Sequence, residues 1–211
     1  MKLGDLERPF PADRIHWRVG ATNGEKTKGI ALAYIDARDV MDRLDDVCPG
    51  KWQATYVDAG NGKTCCQIGI KVDGEWLWRG NGAGETDFEA DKGAFSDSFK
   101  RAAVLWGICR YLYRIESPWV EIEPRGKSYV IAEKERGKLA AIIDKTIKVY
   151  IPREVKNEFY TQAKEFLSNG DENGMREIWS EWDGKNDERL ILWSMFNSQE
   201  RSAMKAMQAT A

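Results

Sequence analysis

Lys100 and Arg101 are adjacent cations inside the run Lys92–Arg114, which carries five basic side chains against a single acid, Asp97. Read as a helix at about 100° per residue, this run brings Phe88, Phe95, Phe99, Ala102 and Trp106 to within roughly 60° of one another. Lys100 and Arg101 then lie on either side of the opposite face. One side of such a helix packs, and the other presents two neighbouring positive charges to an anionic partner.

That charge has to act locally. The chain holds 32 Lys+Arg against 34 Asp+Glu, a net charge of −2, so no global field draws in a polyanion. Opposite charge is segregated along the sequence: residues 36–46 carry five acids (Asp36, Asp39, Asp42, Asp45, Asp46) and two bases (Arg38, Arg43). With 211 residues and 42% hydrophobic content, the chain is long enough for one good core and a smaller second unit.

Catalytic machinery is hard to find. Gly80-Asn-Gly-Ala-Gly84 is followed by no Gly-Lys-Ser/Thr and lacks the Gly-x-Gly-x-x-Gly spacing, so neither a phosphate-binding loop nor a dinucleotide site is expected. It reads as a strand bulge or a tight exit from a sheet, with close approach of backbone to a phosphate as the alternative. Glu121 and Glu123 precede Lys127, but Pro124 and Gly126 interrupt the spacing a metal-dependent nuclease would use. His16 is the only histidine, and no Cys-x-x-Cys occurs among the four cysteines. These facts argue against a structural zinc site and against acyl transfer. No catalytic residue, metal or cofactor is expected. No apolar run reaches about 18 residues and the N-terminus has no signal-peptide pattern, so an intracellular, cytoplasmic location is expected.

The elements that would position the cationic pair follow from periodicity. Residues 13–20 and 30–35 read as short extended pieces, and Asp36 to Val47 as a helix closed by Pro49-Gly50. Trp52 to Val57, Lys63 to Val72 and Glu75 to Gly80 read as a three-stranded antiparallel meander, joined through Asn61-Gly62 and Asp73-Gly74. Thr86-Asp-Phe-Glu89 is a capping box that starts the long helix near Asp87, which ends around Gly107. Residues 115–130 read as a connector leading to one short strand, Ser128 to Ala132, and 133–148 as a further helix. Beyond Pro152, helices are expected over 153–168, 172–182 and 187–208, with Trp179, Trp182, Trp193 and Phe196 in their core. The fold class is therefore α+β: a three-stranded antiparallel meander packed on a long helix, plus a small helical C-terminal unit. The domains are 1–132, a linker helix over 133–152, and 153–211. Among the nine tryptophans, Trp76, Trp78 and Trp106, with Tyr111, could stack bases, though core packing is the default for most of them.

Ile15-x-Trp17-Arg18, Tyr34-Ile-Asp-Ala-Arg38, the meander, and Gly93-Ala-Phe-Ser-Asp-Ser-Phe-Lys-Arg-Ala102 with its Gly107-Ile-x-Arg110-Tyr-Leu-Tyr113 continuation resemble the Rad fifty-two superfamily of single-strand annealing proteins. The chain looks like the compact type encoded by bacteriophages, and the resemblance spans roughly residues 10–115. It implies a β-β-β-α core assembling side by side into a ring, with single-stranded DNA in a positively charged groove around the outside. The family's DNA-contacting positions correspond to Lys100, Arg101 and Lys92. Arg38 is the nearest counterpart of a further groove residue, since an acid, Asp39, stands at the strictly aligned position. Arg110 or Arg114 would stand in for another basic residue, because Val104 occupies its place.

The resemblance implies annealing of complementary strands in homologous recombination and double-strand break repair, without ATP. If phosphates face the protein and bases stay outward, each matched step returns about 1.4 kcal/mol and no hydrolysis is needed. Expected partners are single-stranded DNA, further copies of the chain in a ring, and a single-strand binding protein docking on the C-terminal unit. A phage-encoded protein would work in the cytoplasm of a bacterial host cell. The alternative is a protein-interaction scaffold, in which Lys100 and Arg101 bridge to the acidic 36–46 helix of a neighbouring copy.

Overall fold

A computed structural model of the chain describes residues 2–60, 63–83 and 90–209. The turn at Asn61-Gly62, the capping box at Thr86–Glu89 and Phe88 lie outside the described residues. The chain divides into two compact units, residues 1–148 and 149–211.

The first unit opens with strands β1 (His16–Thr22) and β2 (Lys28–Tyr34), paired antiparallel with Trp17 opposite Ala33. Asn23 shapes their turn by accepting backbone N–H bonds from Thr27 and Lys28, each at 2.9 Å. Helix α1 (Ala37–Val47) follows, with the Asp36 side chain as N-cap accepting from the Arg38 amide. Strands β3 (Trp52–Asp58), β4 (Thr64–Val72) and β5 (Glu75–Ala83) form the expected antiparallel meander in the order β3-β4-β5. Helix α2 (Ala90–Leu105) lies across β4 and β5. This is the β-β-β-α core that the sequence led us to expect.

A second sheet has the order β1-β2-β6-β7, with β6 (Trp119–Arg125) and β7 (Ser128–Ile131). The sequence pattern predicts a connector over 115–130 with one short strand, Ser128 to Ala132. Instead β6 pairs antiparallel with β2, Gly29 facing Val120. Its alternation of buried Val120 and Ile122 with exposed Trp119, Glu121 and Glu123 is a half-buried strand pattern, which Pro118 before the strand and Pro124 within it obscure. Helix α3 (Arg136–Lys148) falls in the segment expected as a linker helix. Its Leu139 is buried with Ala31, Val120 and Ile122, and its Ile143 joins the larger cluster of the same unit.

That larger cluster is where α2 is fixed. Cys66, Ile68 and Ile70 of β4, all fully buried, meet Phe99, Ala102 and Trp106. The buried stripe of α2 is thus Ser98, Phe99, Ala102 and Ala103, with Trp106 just beyond. Phe95, expected in this stripe, is 48% exposed and packs edge-on against Tyr56 at 5.0 Å. The reason is that β3 carries little cover, so a side chain leaning toward it stays wet. The Trp106 Nε1–H donates to the Ile68 carbonyl at 3.0 Å, which satisfies the one polar atom of a buried indole.

The second unit comprises α4 (Arg153–Asn169), α5 (Glu172–Ser180), α6 (Asn186–Ser194) and α7 (Ser198–Ala209). Phe159 sits at its centre, edge-on to Trp179 at 4.8 Å and packed against Trp182 and Phe196. Trp179 and Phe196 are buried, while Trp182 and Trp193 are partly buried around them. The single helix expected over 187–208 is two. Asn197 Oδ1 accepts from the Glu200 amide at 3.0 Å and Glu200 Oε2 accepts from the Asn197 amide at 2.8 Å, so a reciprocal cap starts a new helix there.

Candidate nucleic-acid interface

Where α2 ends decides where its cations point. Gly107, at φ +99°, closes the helix in a Schellman turn: the Ile108 amide reaches the Ala103 carbonyl at 3.2 Å and the Gly107 amide reaches Val104 at 3.0 Å. A side chain at Gly107 would also meet the Glu7 Cγ at 2.5 Å. Cys109, at φ +58°, continues the reversal. Two arginines then gather on the exposed carbonyls. Arg110 donates from Nε to Val104 at 3.0 Å and from Nη2 to Leu105 at 2.8 Å. Arg79 from β5 donates to the same Leu105 carbonyl and lies 4.3 Å over the Trp106 ring. Both guanidiniums oppose the negative end of the helix dipole.

Beside this turn, between β1–β2 and α2, runs a groove of about 520 Å³. Arg18 of β1 and Tyr34 of β2 form one wall; Asp97, Lys100 and Arg101 form the other; Leu112 and Tyr113 lie along the segment after α2. Ile35, Val40 and Ile108 supply an apolar floor. The lining carries three cations and one carboxylate, in a chain whose net charge is negative.

Each cation is poised differently. The Lys100 ammonium lies 5.8 Å from the centre of the Tyr34 ring, which itself packs on His16 at 5.5 Å. An aromatic face attracts the charge without neutralising it. Arg101 Nε bonds Asp97 Oδ2 at 2.9 Å, one turn away on the same helix, and this bond raises the guanidinium's pKa above its ordinary value. Both side chains of the pair are about half exposed, so the pair contributes little to stability and serves chiefly to orient Arg101. Arg18 is exposed on β1. Tyr113 is 74% exposed, an aromatic ring at the groove held open to water.

Of the other sequence-derived candidates, Arg38 and Arg110 are not among the residues that line the groove. Lys92 lies on α2 two turns before Lys100, with its side chain outside the described residues. Arg38 is exposed and ion-paired to Asp36 at 3.1 Å and does not line the groove. Arg110 caps α2 as described. Asp39, the acid at the position where the family carries a basic residue, is buried and accepts from Arg14 at 2.6 Å. Of the four aromatic rings singled out for stacking, Trp106 is buried and Tyr111 half-buried: the Tyr111 hydroxyl accepts the Phe10 amide at 3.1 Å, and burial drives its pKa upward. Trp76 and Trp78 are exposed. Sequence reading left Arg18 and Tyr113 out of the site, although both lie in the quoted motifs. Only the packing of β1, remote in sequence, beside the helix brings Arg18 to the groove, and the reversal at Gly107 and Cys109 brings Tyr113 there.

Among the described residues no group of three or more His, Cys, Asp or Glu side chains could hold a metal ion. Glu121, considered for a nuclease, is ion-paired to Lys134 at 2.6 Å. No helix of the described residues is long and apolar enough to cross a membrane.

A family model described as Rad52/22 family double-strand break repair protein matches residues 3–125, which contain the whole groove. Two curated relatives named single-stranded DNA-binding protein DdrA are similar to the chain. The one from Deinococcus radiodurans is 39% identical over 126 residues, covering 57% of this chain and 61% of the relative. The one from Deinococcus deserti is 38% identical over 132 residues, covering 57% and 62%. The match therefore spans about three fifths of each relative's length. No solved structure matches the chain.

The capping geometry yields a first expectation. Arg110→Ala removes two donors from the end of α2 and should cost about 1–2 kcal/mol of unfolding free energy in urea titration. An unchanged midpoint would return this guanidinium to the pool of cations free to meet a ligand.

Proposed function

The chain belongs to the Rad52/22 family of double-strand break repair proteins, and from that premise we propose that it binds single-stranded DNA in the groove between β1–β2 and α2 and anneals complementary strands. The observation that carries this reading is the groove itself: Arg18, Lys100 and Arg101 against one carboxylate, inside the family-matched segment. Cations at a narrow groove hold phosphates without reading sequence. A phosphate can displace Asp97 from Arg101 at small cost, because that pair is exposed. Bases directed outward stay free to meet a complement, and stacking in the new duplex supplies the driving force, so ATP has no part in the reaction. Lys92 extends the same helix toward the strand, and its contribution rests on helical spacing. The relatives' name, single-stranded DNA-binding protein, agrees with this assignment.

Assembly into a ring is part of the proposal. Strand β3 is an uncapped edge whose side chains are nearly all exposed, and Tyr56 and Phe95 leave an apolar patch beside it. Such an edge invites pairing with another copy. A ring adds the grips of successive grooves along one strand, raising affinity through effective concentration. The second unit, beyond the family match, is proposed to dock a single-strand binding protein; Trp179, Arg189, Leu190 and Trp193 line a groove of about 420 Å³ there. Pull-down of that partner should vanish when residues 149–211 are removed, and retained capture would reject this role.

The scaffold reading, in which the acids of residues 36–46 bind the cations of a neighbour, loses support from the way three of those five acids are occupied. Asp36 holds Arg38, Asp39 holds Arg14, and Asp45 accepts the Trp52 Nε1–H at 2.7 Å.

The direct test of the groove is salt dependence. Lys100→Ala with Arg101→Ala should lower the log–log slope of single-stranded DNA binding by about 0.7 per lost contact while leaving the assembled mass unchanged. An unaltered slope would remove α2 from the binding mechanism.

A further inference from the structure

The three-stranded sheet has a second face, turned away from α2, which the groove does not use. Side chains alternate along a strand, so the register sorts them. Cys66, Ile68 and Ile70 point to α2, and their neighbours on β3, β4 and β5 point out. The outward set includes Gln53, Gln67, Lys71, Trp76 and Trp78. Among the described strand residues, the only charge on this face is the positive one of Lys71. The acids at the strand ends, Asp58 and Glu75, belong to the other face by the same alternation.

Trp76 and Trp78 are 38% and 44% exposed, with ring centres 6.2 Å apart and planes tilted by 33°. Leaving two indoles in water is costly, and the sheet is built to hold one of them flat. A Cβ placed on Gly69 would meet Cε3, Cδ2 and Cε2 of Trp78 at 2.9, 3.0 and 3.0 Å. Three ring atoms at equal distance mean that the ring lies face-down on the Gly69 backbone. Its other face is therefore turned outward. The same device recurs one register step along, where a Cβ on Gly80 would meet the Gln67 Cγ at 2.9 Å, so Gln67 lies across Gly80. Glycines on this face thus act as recesses that lay longer side chains flat.

We propose that this face is a base-stacking platform for single-stranded nucleic acid, separate from the phosphate-gripping groove. Flat aromatic rings on an open sheet are the stacking surface that unpaired bases use, and they tolerate any sequence because every base has a π-face. Lys71, directly cross-strand from Trp76, meets the backbone charge. Gln53 and Gln67 offer amide donors and acceptors at the same level. The absence of carboxylates from the described strand positions of this face, in a chain of net charge −2, suits a polyanion. A platform of this kind would hold bases by their faces while the groove holds phosphates, so the two surfaces answer to different features of a strand.

That difference supplies the test. Binding of a dT oligonucleotide and of an abasic oligonucleotide of equal length is measured for the full-length protein, for Trp76→Ala/Trp78→Ala, for Trp76→Phe/Trp78→Phe and for Lys100→Ala/Arg101→Ala, with assembled mass followed by sedimentation. The intact protein should prefer dT, and the alanine pair should reduce that preference by on the order of tenfold per ring. The phenylalanine pair should retain most of it, and all variants should keep the parental mass. Lys100→Ala/Arg101→Ala should weaken both ligands and keep their ratio. A ratio unaffected by the alanine pair overturns the platform whatever the groove does. A change of mass in the alanine pair also overturns it, making this face a contact between copies. Loss of the ratio in the alanine pair alongside an unaffected Lys100→Ala/Arg101→Ala variant would uphold the platform and reject the groove.

Discussion

The packing of α2 on β4 governs everything that the groove can do. Phe99, Ala102 and Trp106 are held against Ile68 and Ile70, and the Trp106–Ile68 hydrogen bond fixes the rotation of the helix end about its own axis. Once that face is committed, Lys100 and Arg101 have only the β1–β2 side to occupy. The Schellman turn at Gly107 and the two arginines beyond it lock the helix length. A helix free to roll by one residue would put Ala102 where Arg101 stands and lose half of the cationic wall.

Charge in this protein is placed by pairing. Three of the five acids of residues 36–46 are consumed inside the chain: Asp39 by Arg14, Asp36 as N-cap and partner of Arg38, Asp45 by an indole N–H. Arg43 reaches the backbone carbonyls of Asp5, Leu6 and Arg8 and lies 4.0 Å over Phe10, so it ties the N-terminal segment to α1. In the groove, by contrast, Arg18, Lys100 and Arg101 stand against one carboxylate, Asp97. A net charge of −2 is therefore no obstacle to a site for a polyanion, since screening confines each charge to its own neighbourhood at physiological ionic strength.

The parts of this architecture that local chemistry dictates were legible in the chain. Alternation marked the meander, helical spacing marked α1 and α2, and the Rad fifty-two resemblance attached a function to Lys100 and Arg101. Non-local pairing was not legible. Nothing in Trp119–Arg125 announces β2, some ninety residues earlier, as its neighbour, and without that sheet Arg18 cannot be assigned to a groove. Reciprocal capping at Asn197 and Glu200 was written in the sequence and is outweighed there by the continuous helical propensity around it. Arg110 illustrates the opposite case: a cation in a family motif whose donors are taken by helix carbonyls.

The central claim is that the groove holds a strand by its phosphates so that complementary bases can pair. Its most direct measurement is the rate at which two complementary fluorescent oligonucleotides anneal at low ionic strength, in buffer free of nucleotide and divalent metal. The account predicts that the protein speeds this pairing and that the acceleration fades as salt rises. Pairing no faster than in buffer alone, at concentrations that saturate the strands, would contradict it.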